Sequence, residues 1–408
     1  MSTYFIDIAD VVFFKDGREI APGSEYSASS IFPPNPVTVY GALRSAILAS
    51  DPDVDFTSDG FGGISAITRT LAGTIIRSGE KIDEVSFGTL QITGFGLACK
   101  KEGKTELLYP LPGDVLASKK ADAGKETAQN AKPIDFSSFG IRTNLPKAAH
   151  DHSWVRYQEG SFFEYQHIYL TEKLWREYLL GKSGSDSDIA GIVKNEAKRE
   201  KFKPDNYFKK EPRMGIVIDS NTGTVEEGKL FTTPFIRPNP KNNTGFWVKL
   251  NEDVSKILDG SLLRLGGDGK LSSISVIQAT DDNLFMADLK KGAENTGKLK
   301  LVLLTPAIFE NGWLPDGIDP ETGVGEINDI SVKLVSANNG RYQPMGGWDV
   351  ARNRPKPTKR AVPAGSVYWI ECKKGSEAAL IDALHGKSIC NNKEFMKQGL
   401  GIIHTGVV

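Results

Sequence analysis

The sequence predicts two α+β halves, each an antiparallel sheet with helices on one face, and three observations lead there. A strand, a loop with three prolines and an amphipathic helix open the chain. Two apolar runs flanking a polar turn lie near its middle, and a strand, a helix and a further strand close it. Short strands alternating with single helices are the pattern of ferredoxin-like units, in which a helix carries the chain back across one face of the sheet. The expected boundaries are 1–185 and 186–408.

Element by element, residues 4–14 (YFIDIADVVFF) set Tyr4, Ile6 and Ile8 in a period of two and predict a strand. Lys15, Asp16 and Gly17 turn the chain. After SSIFPPNP, residues Val39, Ala42, Leu43, Ala46 and Ile47 recur at helical spacing, so the next segment is a helix with Arg44 off its apolar stripe. The stretch 112–152 lacks a period and contains ASKKADAGKETAQNAK, which predicts a polar insertion. TEKLWREYLLG predicts a short helix capped by Thr171 and stopped at Gly181, and GKSGSDSD over 181–188 predicts the linker. RMGIVID, SNTGT and GKLFTTPFIRP form an expected hairpin; KLKLVLL and ISVKLV are expected strands. SVYWIEC, SEAALIDALHG and KQGLGIIHTGVV predict the closing strand, helix and strand.

Composition narrows the function classes. At 408 residues and 39% hydrophobic, the chain can bury the cores of two or three domains of about 150 residues each. Asp7 and Asp10 interrupt the first apolar stretch, so no secretory leader is expected, and no apolar run reaches bilayer length. The 3 cysteines, Cys99, Cys372 and Cys390, match neither a disulfide framework nor a zinc site. A reducing, cytoplasmic setting without metal or cofactor is expected. A net charge of −1 means that any contact with a polyanion must come from a local patch.

One such patch is RNRPKPTKR, where Arg352, Arg354, Lys356, Lys359 and Arg360 alternate with prolines. The prolines keep the segment extended, so its cations stay spread as on a backbone-tracking strand. They track RNA phosphates, hold an acidic partner surface or remain solvated. Lys194 to Arg213 carries a second surplus of positive charge, expected as a solvated helix face. The glycines of RLGGDGK (Gly266, Gly267, with Lys270) and of QGLGIIHTG (Gly399, Gly401) let a backbone or a phosphate approach closely, or serve ordinary turns. RLGGDGK is not a Walker loop, so nucleotide hydrolysis is not indicated. His150 and His152 could act as acid and base in metal-independent RNA cleavage, or stand as loop histidines; His404 is expected to be structural. Asp281, Asp282 and Asp288 lack the spacing of a calcium loop and are expected on a solvated face.

Taken in order, FFKDGREI, FPPNPVTVYGALRSAIL, EPRMGIVIDSNTGTVEEGKLFTTPFIRP, LGGDGK, LLTPAIFENGWLP, GGWDVARNRPKPTKRAVPAGSVYW and QGLGIIHTG resemble the third subunit of the Cmr module, the type III-B CRISPR effector, in the RAMP superfamily of RNA-binding proteins. The resemblance runs from residue 11 to 406. It implies two ferredoxin-like, RRM-related domains ending in a glycine-rich loop, and a subunit without a nuclease centre. It also implies partners: the five-prime handle of the guide RNA, the large polymerase-like subunit and the first backbone RAMP subunit. The alternative is a RAMP endoribonuclease that processes guide RNA. Within this frame Asn35 and Thr38 at the first helix start are expected to favour phosphate, with Arg44 reaching the same side. Arg18, Arg213, Gly266, Gly267, Lys270, Gly399, Gly401 and the RNRPKPTKR cations complete the expected RNA-binding set.

Overall fold

The computed structural model describes residues 2–15, 30–56, 61–78, 81–119, 126–130, 161–163, 168–182, 189, 204–219, 221–278, 282–349, 352 and 354–408. Strand β1 (Ser2–Ile8) is apolar on both faces, for Tyr4, Phe5 and Ile6 are all fully buried. Such a strand suits the middle of a covered sheet, not the one-sided surface that a period of two alone suggests. Helix α1 (Pro36–Ala49) follows with Val39, Leu43 and Ile47 buried on the predicted stripe. Then come α2 (Ala66–Ala72), β2 (Ile92–Lys101), β3 (Lys104–Pro110), β4 (Tyr169–Thr171) and α3 (Glu172–Leu179). A long hairpin, β5 (Phe208–Ile218) and β6 (Val225–Pro238), is joined to the body by paired backbone bonds between Val12 and Ile236. After it run β7 (Thr244–Leu250), α4 (Ser255–Leu258), β8 (Leu262–Leu265) and β9 (Lys270–Ile277).

These strands build a sheet in the order β8-β9-β1-β7-β2-β3-β4, antiparallel throughout. The expected break at 185–186 falls between β4 and β7, inside the span that supplies this sheet. Of the expected insertion, Val115–Lys119 and Glu126–Asn130 pair as strands and Ser161–Phe163 joins them. Its residues 120–125 and 131–152, with linker residues 183–188, lie outside the described residues.

The rest of the chain makes a second sheet. Helix α5 (Asn283–Ala293) leads into β10 (Lys298–Leu303), β11 (Val324–Ile327) and β12 (Ile330–Asn338). A ribbon of short strands follows: β13 (Gln343–Met345), β14 (Trp348–Asp349), β15 (Arg354–Pro355) and β16 (Lys359–Ala361). Then come β17 (Val367–Glu371), α6 (Glu377–Leu384), β18 (Lys387–Ser388), α7 (Lys393–Lys397) and β19 (Ile402–Gly406). The sheet order is β11-β12-β17-β10-β19-β18, again antiparallel. In both sheets, four core strands numbered within their own half run 4-1-3-2: β9-β1-β7-β2 in the first, β19-β10-β17-β12 in the second.

One buried core spans both sheets. Where they meet, rings form a chain. Trp247 contacts Tyr109, Tyr109 stacks on Trp175 with centroids 5.0 Å apart, and His404 stacks on His385 at 4.4 Å. Trp175 Nε1 donates to His404 Nδ1 (2.9 Å), and Thr405 N–H donates to His385 Nδ1 (3.2 Å). Burial pushes His404 well below the usual imidazole range and, with Lys249 and Arg176 nearby, brings His385 down to about 4. Beside them Lys300 Nζ sits 3.8 Å from Asp114 Oδ2 and over the Tyr178 ring, whose hydroxyl donates to Asp114 Oδ1 (2.6 Å).

Candidate nucleic-acid interface

The expected basic patch is an irregular two-stranded ribbon. β13 pairs with β16 and β14 with β15, so Arg352 lies near the tip and Lys359 and Arg360 lie at the base. Pro344, Pro355 and Pro357 have no N–H to offer a ladder, which breaks the pairing into short pieces. Buried Met345 and Ala361 anchor the base. All five expected cations are exposed. Arg352 is held by Asp349, its Nη1 donating to Oδ2 at 3.0 Å, whereas among the described residues Arg354, Lys356, Lys359 and Arg360 have no carboxylate within ion-pair distance. Lys359 instead lies over the Phe395 ring of α7, and Arg360 over Tyr342, 4.9 Å from its centroid.

Tyr342 leads into a cleft of about 1200 Å³ between the two sheets. Its wall includes Phe32 to Pro36 at the start of α1, Pro110 to Gly113 after β3, and Gly365 and Ser366 before β17. Lys209, Lys210 and Arg341 bring positive charge to it against Asp205. The two sides are tied by Gln343 Nε2, which donates to Asn35 Oδ1 (3.1 Å). Asn35 is the N-cap of α1, yet its side chain makes no cap bond, since that oxygen is turned to Gln343. Pro36 at the first helical position has no N–H and Thr38 N–H donates to the Asn35 carbonyl (2.9 Å), so the start of α1 borders the basic cleft with these backbone donors absent or already used.

The expected set divides in the fold. Asn35 lines the cleft and Thr38 is exposed one turn further on. Arg44 is corrected: nine residues along α1 from Asn35, or about 13 Å at helical rise, it cannot serve the helix start. Its Nε donates to the Ala72 carbonyl and its Nη2 to the Ser86 carbonyl (3.3 Å), with the Phe87 ring beside it. Arg213 binds Glu211 (2.8 Å) and lies over Phe235 on the hairpin. Gly399 and Gly401 are also corrected. Both are buried at positive φ, and their N–H groups donate to the Met396 and Pro306 carbonyls, leaving none for a phosphate. A Cβ at Gly399 would lie 2.6 Å from Ile92 Cγ2, so this glycine lets the closing segment pack on the first sheet. Gly267 N–H donates to the Phe13 carbonyl, Gly266 opens the turn from β8 to β9 and Lys270 begins β9, all away from the cleft lining. Arg18, His150, His152, Asp281 and residues 194–203 lie outside the described residues. Asp282 and Asp288 are exposed, as expected of a solvated face, and Asp282 also joins Arg176 and Lys249 where the halves meet.

Sequence reasoning missed Lys209, Lys210, Arg341 and Tyr342. Lys209 and Lys210 sit within the basic run expected as a helix face, but β5 is a strand there. Among the described residues no group of three or more His, Cys, Asp or Glu side chains is placed to hold a metal, and no helix is long and apolar enough to cross a membrane.

The family model of the CRISPR-associated protein Cas_Cmr3 matches residues 4–408. The chain belongs to this family. Membership in the Cas_Cmr3 family agrees with the resemblance carried by the seven quoted segments. No curated protein matches the chain. Among solved structures it is similar to a chain of the type III-B Cmr-beta complex bound to cognate target RNA, at 15% identity over 90% of this chain and 86% of that one, with a TM-score of 0.44. It is similar also to a chain of that complex with target RNA and AMPPnP, at 14% identity over 93% and 87%, with a TM-score of 0.45. A chain of the apo complex is similar at 12% identity over 68% and 97%, with a TM-score of 0.28.

Proposed function

We propose that this Cas_Cmr3 family member is a non-catalytic RNA-binding subunit of a type III-B CRISPR effector complex, working in the cytoplasm. It holds the five-prime handle of the guide RNA and docks to the large polymerase-like subunit and the first backbone RAMP subunit. The observation that carries the RNA assignment is the exposed ribbon on which Arg354, Lys356, Lys359 and Arg360 have no carboxylate within ion-pair distance among the described residues, and which runs into a basic cleft beside the N-terminus of α1. Phosphates neutralised by such cations release counterions, which gives affinity without demanding a sequence. The shared 4-1-3-2 strand order supports reading both halves as ferredoxin-like units. In the second half the helix between the first two core strands is replaced by the irregular segment from 304 to 323. We place the division between the halves near 278, after the last strand of the first sheet.

The test is photo-crosslinking of guide RNA in the assembled complex, with peptide mapping, alongside incubation of purified protein with repeat RNA in EDTA and in magnesium. Crosslinks from the handle to residues 341–361 and the cleft wall, with repeat RNA intact, are expected. Crosslinks confined to other subunits would overturn RNA binding, and metal-independent cleavage lost on His150→Ala or His152→Ala would make the protein a nuclease.

A further inference from the structure

Tyr342 and Trp348 are 48% and 55% exposed, while most rings among the described residues lie in the core. Both sit with the cations of the ribbon: Tyr342 beside Arg341 and under Arg360, Trp348 across the ladder from Pro355 and next to Arg354. Cations suffice for phosphates. Flat exposed rings add nothing to a phosphate contact but offer a π-face to an unpaired base, and rings interleaved with cations are how proteins hold single strands. The Arg360 guanidinium over Tyr342 fixes that ring by a cation–π contact while leaving it accessible from the cleft.

We propose that Tyr342 and Trp348 are stacking platforms for unpaired bases of a single-stranded RNA whose phosphates meet Arg354, Lys356, Lys359 and Arg360. This rests on the RNA-binding function proposed above. A duplex does not suit the site, because its bases are already stacked on one another and closed to side-chain rings.

The experiment compares binding of the full-length chain to oligouridine and to an abasic ribose-phosphate oligomer of equal length. Tyr342→Leu and Trp348→Leu are each expected to weaken oligouridine binding about 5- to 150-fold while leaving abasic binding and its salt dependence unchanged. Tyr342→Phe and Trp348→Phe are expected to retain most of the affinity, which separates loss of a π-face from loss of fold. Equal losses for both oligomers, or no loss for either, would overturn stacking while leaving phosphate binding intact. Leucine variants that bind oligouridine normally but fail to join the complex would make the rings a protein-docking surface and overturn the proposal. If the wild-type chain binds neither oligomer in a salt-dependent way, the RNA-binding function itself is overturned, and stacking with it.

Discussion

Arg44 illustrates how one residue's role turns on where its donors end up. Facing outward on a helical wheel, it looks available for phosphate. In the fold, its guanidinium is half-buried and bridges the carbonyls of Ala72 and Ser86, joining α1 to the end of α2 and the segment before β2. Removing it leaves two carbonyls short of a charged donor. Arg44→Ala is therefore expected to lower the unfolding free energy by about 1.5–3 kcal/mol, the range for hydrogen bonds to charged groups, with RNA affinity unchanged. Urea denaturation and an RNA titration of the same preparation check this. Weaker RNA binding at unaltered stability would restore the phosphate-binding role.

At the scale of elements, the ribbon from β13 to β16 behaves as a charged arm with a fixed root. Its base is pinned by Met345 and Ala361 and by the stacking of Lys359 on Phe395, while the prolines leave the outer part unable to form a continuous ladder. Its charges are not equivalent. Asp349 already neutralises Arg352, and it is held below the usual carboxylate range despite burial, through the bonds from Arg352 and the charge of Lys356. For single-stranded RNA, the slope of log affinity against log salt changes by roughly 0.7 for each phosphate contact. Replacing Arg354, Lys356 and Arg360 with alanine is thus expected to flatten the slope by about 2, and Arg352→Ala to alter it much less. A salt titration of the two variants distinguishes them. A full change of about 0.7 for Arg352→Ala would mean that Asp349 does not set the charge of the tip.

Across the whole molecule, the two sheets are joined by buried polar groups as well as by apolar packing. The Nδ1 atoms of His404 and His385 both accept hydrogen bonds, from Trp175 and Thr405, so each ring is neutral with its proton on Nε2. Arg176 and Lys249 face the pair, and Asp282 and Glu172 engage Arg176 from the outside. A histidine with a folded pKa below its unfolded value binds a proton more readily when unfolded. Its stabilising effect is complete above about 6.5 and is lost as the pH falls toward the folded value, about 4 for His385, at up to about 1.4 kcal/mol per pH unit for each ring. Buried Asp114 is pushed up and Lys300 down, each toward its neutral form, so Asp114 acts in the opposite direction as acid is added. Thermal unfolding from pH 7.5 to 4.5 is expected to show a steeper loss for the wild type than for His385→Asn, and parallel curves would remove His385 from the account.

Where local pattern and burial agree, the sequence by itself determined the result. Helix α1 has its apolar stripe and α3 starts after Thr171, because one-sided burial leaves its period in the residue order, while β10, β12, β17 and β19 lie at apolar runs that suit strands covered on both faces, with α6 between the last two. The family was legible too, since its segments are spread in order along the chain. Periodicity could not reveal that β7, β8 and β9 return to the sheet begun by β1, for strand pairing joins residues that are far apart in the chain and depends on which faces are left to cover. The same limit governed the site. Glycine and arginine are alike in sequence whether their N–H groups face solvent or are already bonded, and only tertiary packing decided that Gly399, Gly401 and Arg44 hold the fold together. It was packing also that gathered Lys209, Lys210, Arg341 and Tyr342 around one cleft, and left the ribbon's cations and rings facing water.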